Sequence, residues 1–324
     1  RNPDGSLNPL YKVLVDIDNL IDYMLVIFYA GNFDSPTSMW QNNKGANNFY
    51  CLYNRNANEG FKFFAHDAEH TLRTSSGEHW NAKGLTEDRV NIGTLTNEYK
   101  MVVDWFGIFH PQWLHFKLSD NAEYRLRFAD HVYKYFFNNG IMTPSQASAL
   151  FEKRAKEIEL AIIGESARWG NTYSYPTKTK DDWQWAVDDI IDNYFPYRIR
   201  TVLDQLRKAS LYPKINPPVF GSGSKLITSE TLEIDPGFSL NMANPNTQGI
   251  VYYTINGSDP RKIGGDVNDS SAYIAEKNSV IIITNTTVIK ARIKDGDTWS
   301  ALHKITLYVN SDFSSLKLTE INYH

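Results

Sequence analysis

Residues 60–72 read Gly60-Phe-Lys-Phe-Phe-Ala-His-Asp-Ala-Glu-His-Thr-Leu72 and hold the most informative pattern of the chain. The apolar run at the start predicts a buried strand, and Asp67 and Glu69 follow it directly. Carboxylates beside a buried strand are costly unless a cation or hydrogen-bond donors meet them. The pattern is typical of a strand that ends in a magnesium-binding acid, as in phosphotransferases. It also spells His-x-x-Glu-His, which is one signature of a zinc hydrolase.

Composition limits the classes of protein to which the chain can belong. Its 324 residues are enough for two ordinary domains, and a formal net charge of −4 gives no general case for nucleic acid or an anionic membrane. The longest apolar runs, such as residues 23–30, are too short to cross a bilayer. The single cysteine, Cys51, excludes an internal disulfide and a cysteine-based zinc cluster, and we expect it to be a small core residue.

The residues up to about Tyr212 predict a mainly helical domain. Periodicity and capping signals predict helices over residues 19–28, over 122–138, from 144 onward, over 181–195 and over 198–208. We expect Asp16 or Asp18 to cap the first helix and Gly31 to end it. The third helix carries an apolar stripe at Phe151, Ala155, Ile158 and Ile162.

From Asn216-Pro-Pro218 onward the pattern changes to short, β-branched strands. Strands are predicted over residues 251–255, 280–283, 288–293 and 305–309, with turns rich in Gly, Asn and Asp between them. This spacing predicts an antiparallel β-sandwich, so the fold class is multidomain α+β. Asp259, Asp266 and Asp269 are interpreted as turn residues, with a weak calcium or glycan site as the alternative.

The two ends of the chain predict that it is a fragment of a longer protein. It opens at Arg1 without a signal peptide, and residues 316–324 alternate like a strand that has nothing after it to pair with. We therefore predict a helical domain at residues 1–212 and a sandwich at residues 213–309. Residues 310–324 are predicted to be a linker and the first strand of a following domain.

Three polar clusters interrupt the helical half, at residues 31–36, 47–48 and 66–70. Residues 49–55 and 61–64 read as strands on either side of a turn-rich segment, so we expect them to pair as a hairpin. That hairpin would place Asn48 at its entrance, beside Asp67 at its exit. Asp34, from the loop before the hairpin, could approach the same point.

This order of residues has a physical reason in phosphoryl transfer. There a loop Asp accepts the proton of the attacking hydroxyl, and an Asn and a second Asp hold metal against the phosphates. Asp34, Asn48 and Asp67 occur in that order, and Glu69 could supply a further metal carboxylate. Amide and carboxylate oxygens are the donors that Mg²⁺ or Mn²⁺ requires. The alternative is that Asp34 and Asn48 are ordinary turn residues.

At these residues the chain resembles the CotH kinase family, the spore-coat protein H group of atypical protein kinases. Residues 60–72 look like the signature strand of that family. The resemblance continues through residues 29–34, 47–50, 110–115, 123–130, 161–170, 181–183 and 194–196. The subgroup that the chain resembles occurs in large secreted multidomain bacterial proteins.

The resemblance implies transfer of the γ-phosphoryl group of ATP to Ser or Thr of a protein substrate, with Mg²⁺ or Mn²⁺. It implies Asp34 as the catalytic Asp, Asn48 as a metal ligand and Asp67 as the counterpart of the metal-binding Asp of ordinary kinases, and Glu69 falls where some relatives carry another acid or amide. Asn47 is a candidate in place of Asn48, because the spacing from Asp34 is longer than in ordinary protein kinases. The family's ATP-gripping Lys and its partner Glu should lie upstream of the first residue. The chain is therefore expected to hold half an active site.

The second half resembles the chitobiase/β-hexosaminidase C-terminal type of β-sandwich at residues 249–261, 288–292 and 299–301. In that family the module is an accessory and not a catalyst. Residues 318–324 look like the first strand of a lamin-tail-type domain. These resemblances imply a secreted or cell-surface protein, whose sandwich could contact a cell surface or a glycan.

Two other functions are left open by the residues. A zinc hydrolase would need His66 and His70 one helical turn apart, with Glu69 as general base. The strand pattern before them and the lack of an apolar stripe after Leu72 argue against a helix, and packing is the other interpretation of both histidines. A non-catalytic cell-surface or extracellular binding protein would instead use a kinase-like core as a scaffold.

Overall fold

The computed structural model describes residues 8–43, 45–74, 84–92, 109–172, 174–276, 279–310 and 317. The chain divides into two compact units, residues 1–214 and residues 215–324. The first unit is mainly helical with a two-stranded sheet, and the second consists of strands. The predicted α+β class is therefore confirmed. Within the described residues, no helix has both the length and the apolar character needed to cross a membrane.

The helices of the first unit are α1 (Ile17–Ala30), α2 (Pro111–Leu118), α3 (Ala122–Phe136), α4 (Pro144–Trp169), α5 (Lys180–Asp189) and α6 (Phe195–Lys208). A π-helical turn, Ile190–Tyr194, joins α5 to α6. Its two strands are β1 (Phe49–Tyr53) and β2 (Phe61–Ala65), and single 3₁₀ turns occur at Met39–Gln41 and Gly84–Thr86. The predicted helices thus form, with boundaries shifted by a few residues.

Helix α1 is at the centre of the first unit. The Asp16 side chain accepts a hydrogen bond from the Asn19 amide and begins the helix, while Gly31 ends it in the left-handed conformation at φ 64°. Of the two predicted caps, the structure uses Asp16. The residues at the core of the helix are fully buried, namely Leu20, Ile21, Met24, Leu25 and Phe28. Because α1 contacts α2, α3, α6 and β2, it fixes the start of the loop that begins at Gly31.

The apolar stripe predicted on α4 is only partly buried. Ala155 is buried, and Phe151 packs edge-on against Phe195 of α6 with ring centroids 5.5 Å apart. Ile158, by contrast, is about half exposed, and its neighbour Leu160 is 80% exposed. Because the main contacts of α4 are with α5, α6 and the π-helical turn, only one side of this long helix is covered.

Strands β1 and β2 form the predicted antiparallel hairpin, with Phe49 opposite Ala65 and Cys51 opposite Phe63. The prediction of a buried strand is wrong, because only Phe63 faces α1 and is buried, whereas Phe64 is 42% exposed. Residues 14–16 pair with the other edge of β2, which makes β1 the outer strand. Cys51 on β1 is consequently exposed, so its predicted place in the core is also wrong.

The second unit contains ten strands among its described residues: β3 (Val219–Ser222), β4 (Lys225–Leu226), β5 (Thr231–Ile234), β6 (Phe238–Ala243), β7 (Ile250–Thr254), β8 (Tyr273–Ala275), β9 (Val280–Ile283), β10 (Thr287–Asp295), β11 (Thr298–Trp299) and β12 (His303–Val309). One sheet has the order β5-β12-β10-β7-β8, with β11 paired to β10, and the other has the order β4-β3-β6-β9. Both sheets contribute buried apolar residues to one core, as in a sandwich. The pairing is antiparallel except between β5 and β12, which are parallel.

The turn residue Asp259 has a second role that its sequence context did not predict. It accepts a hydrogen bond from the Arg261 amide at 2.9 Å, as a turn residue does. Its carboxylate also pairs with the buried Arg292 of β10, with Nη2 and Oδ2 2.7 Å apart. Arg292 further donates to the Ser300 carbonyl oxygen at 2.9 Å. Because the carboxylate neutralises a buried cation, the turn is held on the sheet, and the structure gives no support to a calcium site at Asp259.

Candidate functional site

Asp34 lies in the loop that follows α1, and its side chain is buried, with the residue only 6% exposed. Its Oδ2 atom accepts a hydrogen bond of 2.7 Å from the side-chain amide of Asn48. Its backbone N–H donates to Oδ1 of Asn32 at 3.0 Å, which fixes the loop. The Asp34 Oδ1 atom is buried and has no hydrogen-bond partner among the described residues. A buried carboxylate oxygen without a partner is costly, so this atom points to a cation or to a hydrogen-bond donor from a ligand.

Asn48 contacts the Asp34 carboxylate, whereas Asn47 contacts only the backbone. The Asn47 side chain donates to the Asp34 carbonyl oxygen at 3.1 Å. The Asn48 carbonyl oxygen accepts from the Ser35 hydroxyl at 2.8 Å, and Ser35 is in turn 3.0 Å from the Tyr23 hydroxyl of α1. Since Asn48 uses its amide N–H on Asp34, its side-chain oxygen stays available as a donor to a cation.

The hairpin carries Asp67 to the same end as Asn48. Phe49 at the start of β1 is opposite Ala65 at the end of β2, so the residues that flank the pair lie next to each other. Asp67 has a left-handed backbone at φ 51° and an exposed side chain. Within the described part of the chain its carboxylate makes no hydrogen bond or ion pair. The geometry thus brings Asp34 and Asn48 into contact and leaves Asp67 free at the adjoining strand end.

Glu69 and the two histidines lie beyond Asp67 in a segment that is not helical. The Glu69 carboxylate is exposed and lies 3.3 Å from Nε2 of His70. The His70 ring packs between Phe33 and Trp40, at centroid distances of 5.1 and 4.6 Å. His66 instead packs against Tyr50 of β1, at 4.5 Å.

These contacts do not support the zinc interpretation. It required His66 and His70 one helical turn apart, and the segment between them is extended with a turn. The two rings also pack against different neighbours, which gives both histidines the packing role that was the alternative. No group of three or more His, Cys, Asp or Glu side chains in the described ranges is arranged to hold a metal ion.

By donor type alone, the residues named from the sequence fit a hard divalent cation better than zinc, although the described structure does not gather them into a metal-binding group. The available atoms are the Asn48 amide oxygen and the carboxylate oxygens of Asp67 and Glu69, and Mg²⁺ and Mn²⁺ prefer such oxygen ligands. Asp67 and Glu69 are exposed, so they keep the freedom to turn toward an incoming ion. The assignment of these residues to a metal ion stays a prediction.

Sequence reasoning missed the residues that hold this loop and hairpin in place. Asn19 of α1 donates to the Phe63 carbonyl oxygen at 3.2 Å and also accepts from the Phe63 amide, so it ties α1 to β2. Two buried guanidinium groups bind backbone carbonyl groups: that of Arg89 binds the loop at Thr37, and that of Arg198 binds the last turn of α1 at Tyr29. A signal existed for Arg198, because it falls on the apolar stripe that Phe195 and Val202 define on α6. No such signal existed for Asn19, because a polar residue in a helix does not indicate from the sequence which backbone group it will bind.

Comparison with known proteins gives one family. A family model described as CotH kinase protein matches residues 2–201. Comparison with curated proteins and with solved structures finds no match. The matched range spans more than half of the chain and contains every candidate site residue, from Asp34 to Glu69. It ends within α6, so the resemblances proposed for the β-sandwich and for the last residues stay predictions. The chain therefore belongs to the CotH kinase family.

Proposed function

We propose that this chain forms the acceptor-binding and metal-binding part of a protein kinase, which transfers the γ-phosphoryl group of ATP to Ser or Thr of a protein substrate. Membership of the family supports a kinase-like function with ATP and a divalent metal. The observation that carries the proposal is the contact between Asp34 and Asn48, beside the hairpin end that bears Asp67. That contact joins residues fourteen positions apart in the chain.

Asp34 is proposed as the catalytic base. Its Oδ1 atom has no hydrogen-bond partner among the described residues and is proposed to accept the proton of the substrate hydroxyl, while the Asn48 amide holds Oδ2 in place. As the hydroxyl oxygen forms its bond to the γ-phosphorus, the bond from phosphorus to the bridging oxygen of ADP breaks. The proton then resides on Asp34, and ADP leaves with the electron pair of the broken bond.

Asn48 and Asp67 are proposed to hold the metal ion, with Glu69 as a further carboxylate. Mg²⁺ or Mn²⁺ bound there would neutralise the charge of the phosphates. A secreted or cell-surface location is also part of the proposal, and it rests on the resemblance of the sandwich to accessory modules.

The test replaces Asp67 in the full-length protein. Asp67→Ala should abolish phosphoryl transfer from radiolabelled ATP with Mn²⁺ or Mg²⁺, because a metal ligand is lost. The fold should stay intact, since the Asp67 side chain is exposed and makes no contact in the described structure. Asp120→Ala, at another exposed Asp of the same unit, is the matched control and should keep full activity. Activity retained by Asp67→Ala would overturn the assignment, and an inactive wild type would favour the non-catalytic binding protein.

A further inference from the structure

Arg198 of α6 is a fully buried cation, 0% exposed, that binds backbone carbonyl groups. Its Nε atom donates to the Tyr29 carbonyl oxygen at 2.8 Å, and Nη2 donates to that of Phe28. Its Nη1 atom donates to the Leu85 carbonyl oxygen, in the 3₁₀ turn at Gly84–Thr86. In the described structure no carboxylate lies within ion-pair distance of this guanidinium.

The carbonyl groups that Arg198 binds belong to the last turn of α1. The last four carbonyl groups of a helix lack partners within it, and the negative end of the helix dipole favours a cation there. Tyr194 adds a second donor, from its hydroxyl to the Tyr29 carbonyl oxygen at 2.7 Å. A Cβ atom placed on Gly31 would lie 3.4 Å from both the Arg198 guanidinium and the Tyr194 hydroxyl. The start of the Asp34 loop is therefore enclosed by these two side chains.

A second buried guanidinium holds the other end of the loop. Arg89 is 1% exposed, and its Nη2 atom donates to the Thr37 carbonyl oxygen at 2.8 Å. Its Nη1 atom donates to Oδ1 of Asn43 at 2.9 Å. The Arg89 carbonyl oxygen accepts from Gln112 of α2 at 2.7 Å, which ties this anchor to the helical body. The loop around Asp34 is thus held on both sides by groups outside the hairpin.

Stability alone does not account for a cation at the Arg198 position. Transfer of a charge to the protein interior is costly, and an apolar side chain on the α6 stripe would avoid that cost. What a guanidinium adds is geometry, because its planar set of N–H donors fixes several acceptors at once. Arg198 uses that plane to join the end of α1 to the 3₁₀ turn, two segments far apart in sequence.

We infer that Arg198 and Arg89 are positioning residues for the catalytic Asp34, and act by fixing the two ends of its loop. The inference rests on the proposed kinase function for its effect on catalysis. Neither residue touches the reacting atoms: Arg198 acts through the end of α1 that leads into the loop, and Arg89 acts through the loop backbone at Thr37. Loss of either anchor should let Asp34 move relative to Asn48 and Asp67.

The experiment compares Arg198→Lys with Arg127→Lys in the full-length protein. Arg127 pairs with Asp18 near the start of α1, at a partly exposed site. It is therefore a matched control for the loss of an arginine that contacts α1. Arg198→Lys should lower kcat by about 100-fold with little change in KM for ATP. Amide hydrogen exchange in residues 31–43 should become about tenfold faster, because the loop opens more readily. Arg127→Lys should change neither quantity, and Arg89→Lys should act like Arg198→Lys.

The outcomes separate the inference from the proposed function. Wild-type kcat and unchanged exchange in residues 31–43 of Arg198→Lys would overturn the inference. If Arg198→Lys does not fold, Tyr194→Phe is the second variant, since it removes only the hydroxyl bond to the Tyr29 carbonyl oxygen. It should give a smaller change in the same direction, and no change would count against the inference. A wild type without phosphoryl transfer refutes the proposed function, and the exchange data still decide whether the loop is anchored.

Discussion

At the scale of single residues, the proposed site depends on the side chain of Asn48. Its amide N–H donates to the Asp34 carboxylate, and its oxygen is proposed as a ligand of the metal ion. Asn47 binds only the Asp34 carbonyl oxygen. The two neighbouring asparagines therefore differ in what they can do, although the sequence alone does not separate them.

This difference predicts unequal effects of the two alanine variants. Asn48→Ala should weaken Mn²⁺ binding in the presence of ATP by about tenfold or more, because it removes one oxygen ligand and the partner of Asp34. Asn47→Ala should leave Mn²⁺ affinity within about twofold of wild type, since its contact is to the backbone. Electron paramagnetic resonance of free Mn²⁺ during a titration measures both. A larger loss with Asn47→Ala than with Asn48→Ala would reverse the assignment.

The buried His115 predicts how the first unit responds to acid. Burial lowers the pKa of His115 from 6.5 to about 3, and its Nδ1 atom lies 2.8 Å from the Tyr124 hydroxyl. The unfolded state therefore binds a proton near pH 6.5, while the folded state does not until about pH 3. The free energy of unfolding should fall as the pH drops below 6.5. Urea titrations at pH 7 and pH 5 should show a smaller fall for His115→Phe than for wild type.

His131 is the matched control for that measurement because its shift has the opposite sign. Burial lowers the pKa of His131, but hydrogen bonds to Asp18 and Asp22 outweigh it and raise the pKa from 6.5 to about 9. Its contribution to stability is fully present below pH 6.5 and is lost as the pH rises through 9. That contribution still grows between pH 7 and pH 5, so His131→Gln should make the fall slightly larger than in the wild type and not smaller. An equal flattening in both variants would contradict the explanation for His115.

The sequence predicts a set of site residues but not the residues that support them. Asp34, Asn48 and Asp67 lie within the three polar clusters, and the predicted hairpin places Asn48 and Asp67 at the same end. Arg89 and Arg198 carry charge, which in a sequence indicates a surface position. Their burial becomes understandable only when the carbonyl groups at the end of α1 and in the loop are seen.

At the scale of elements, the hairpin shows why a strand pattern does not fix burial. The pattern of β2 predicted a buried strand, but α1 covers only the face that bears Phe63. Phe64 and Tyr50 lie opposite each other on the other face and are exposed. Period-two alternation shows which side chains share one face of a strand. Whether that face is buried depends on which element packs against it.

Gly60 is the position where the hairpin is most sensitive to substitution. Its φ is +82°, and a Cβ atom there would lie 2.6 Å from the Val15 backbone nitrogen. Gly60→Ala should lower the free energy of unfolding by at least about 2 kcal/mol, because strain and the clash act together. Gly164→Ala on α4 is the control and should raise it by up to about 1 kcal/mol, since nothing lies within 4 Å. Chemical denaturation checks both, and a neutral Gly60→Ala would contradict the close approach of the strands.

In the sandwich, the turn of Asp259 is held on β10 by an ion pair in which the arginine is buried and the carboxylate is partly exposed. Asp259→Ala should cost about 3 kcal/mol, because it leaves the Arg292 cation buried without its carboxylate. Asp269→Ala should cost under about 1 kcal/mol, since its 3.6 Å pair with Lys262 is exposed. Hydrogen exchange of the β10 amides measures the difference within the second unit. Equal protection in the two variants would show that the pair does not stabilise the sheet.

At the scale of the whole molecule, the change from helical periodicity to short β-branched strands along the sequence predicted the α+β class. The helical half and the strand-rich half of the sequence correspond to the two compact units of the structure. The strand-rich unit has its own apolar core. The sequence did not predict the parallel pairing of β5 with β12, because pairing partners far apart in the chain leave no local signal. The family match covers residues 2–201, so the functional argument concerns the first unit.

The most direct test of the kinase account is phosphoryl transfer by the full-length protein with and without the Asp34 carboxylate. Asp34→Asn keeps an oxygen that can accept the Asn48 hydrogen bond, so the fold and the melting temperature should stay close to wild type. The wild type should transfer radiolabelled phosphate from ATP to a protein acceptor or to itself, in the presence of Mn²⁺ or Mg²⁺. Asp34→Asn should be slower by at least about 100-fold, because the proton acceptor is lost. Transfer by Asp34→Asn at the wild-type rate would contradict the account.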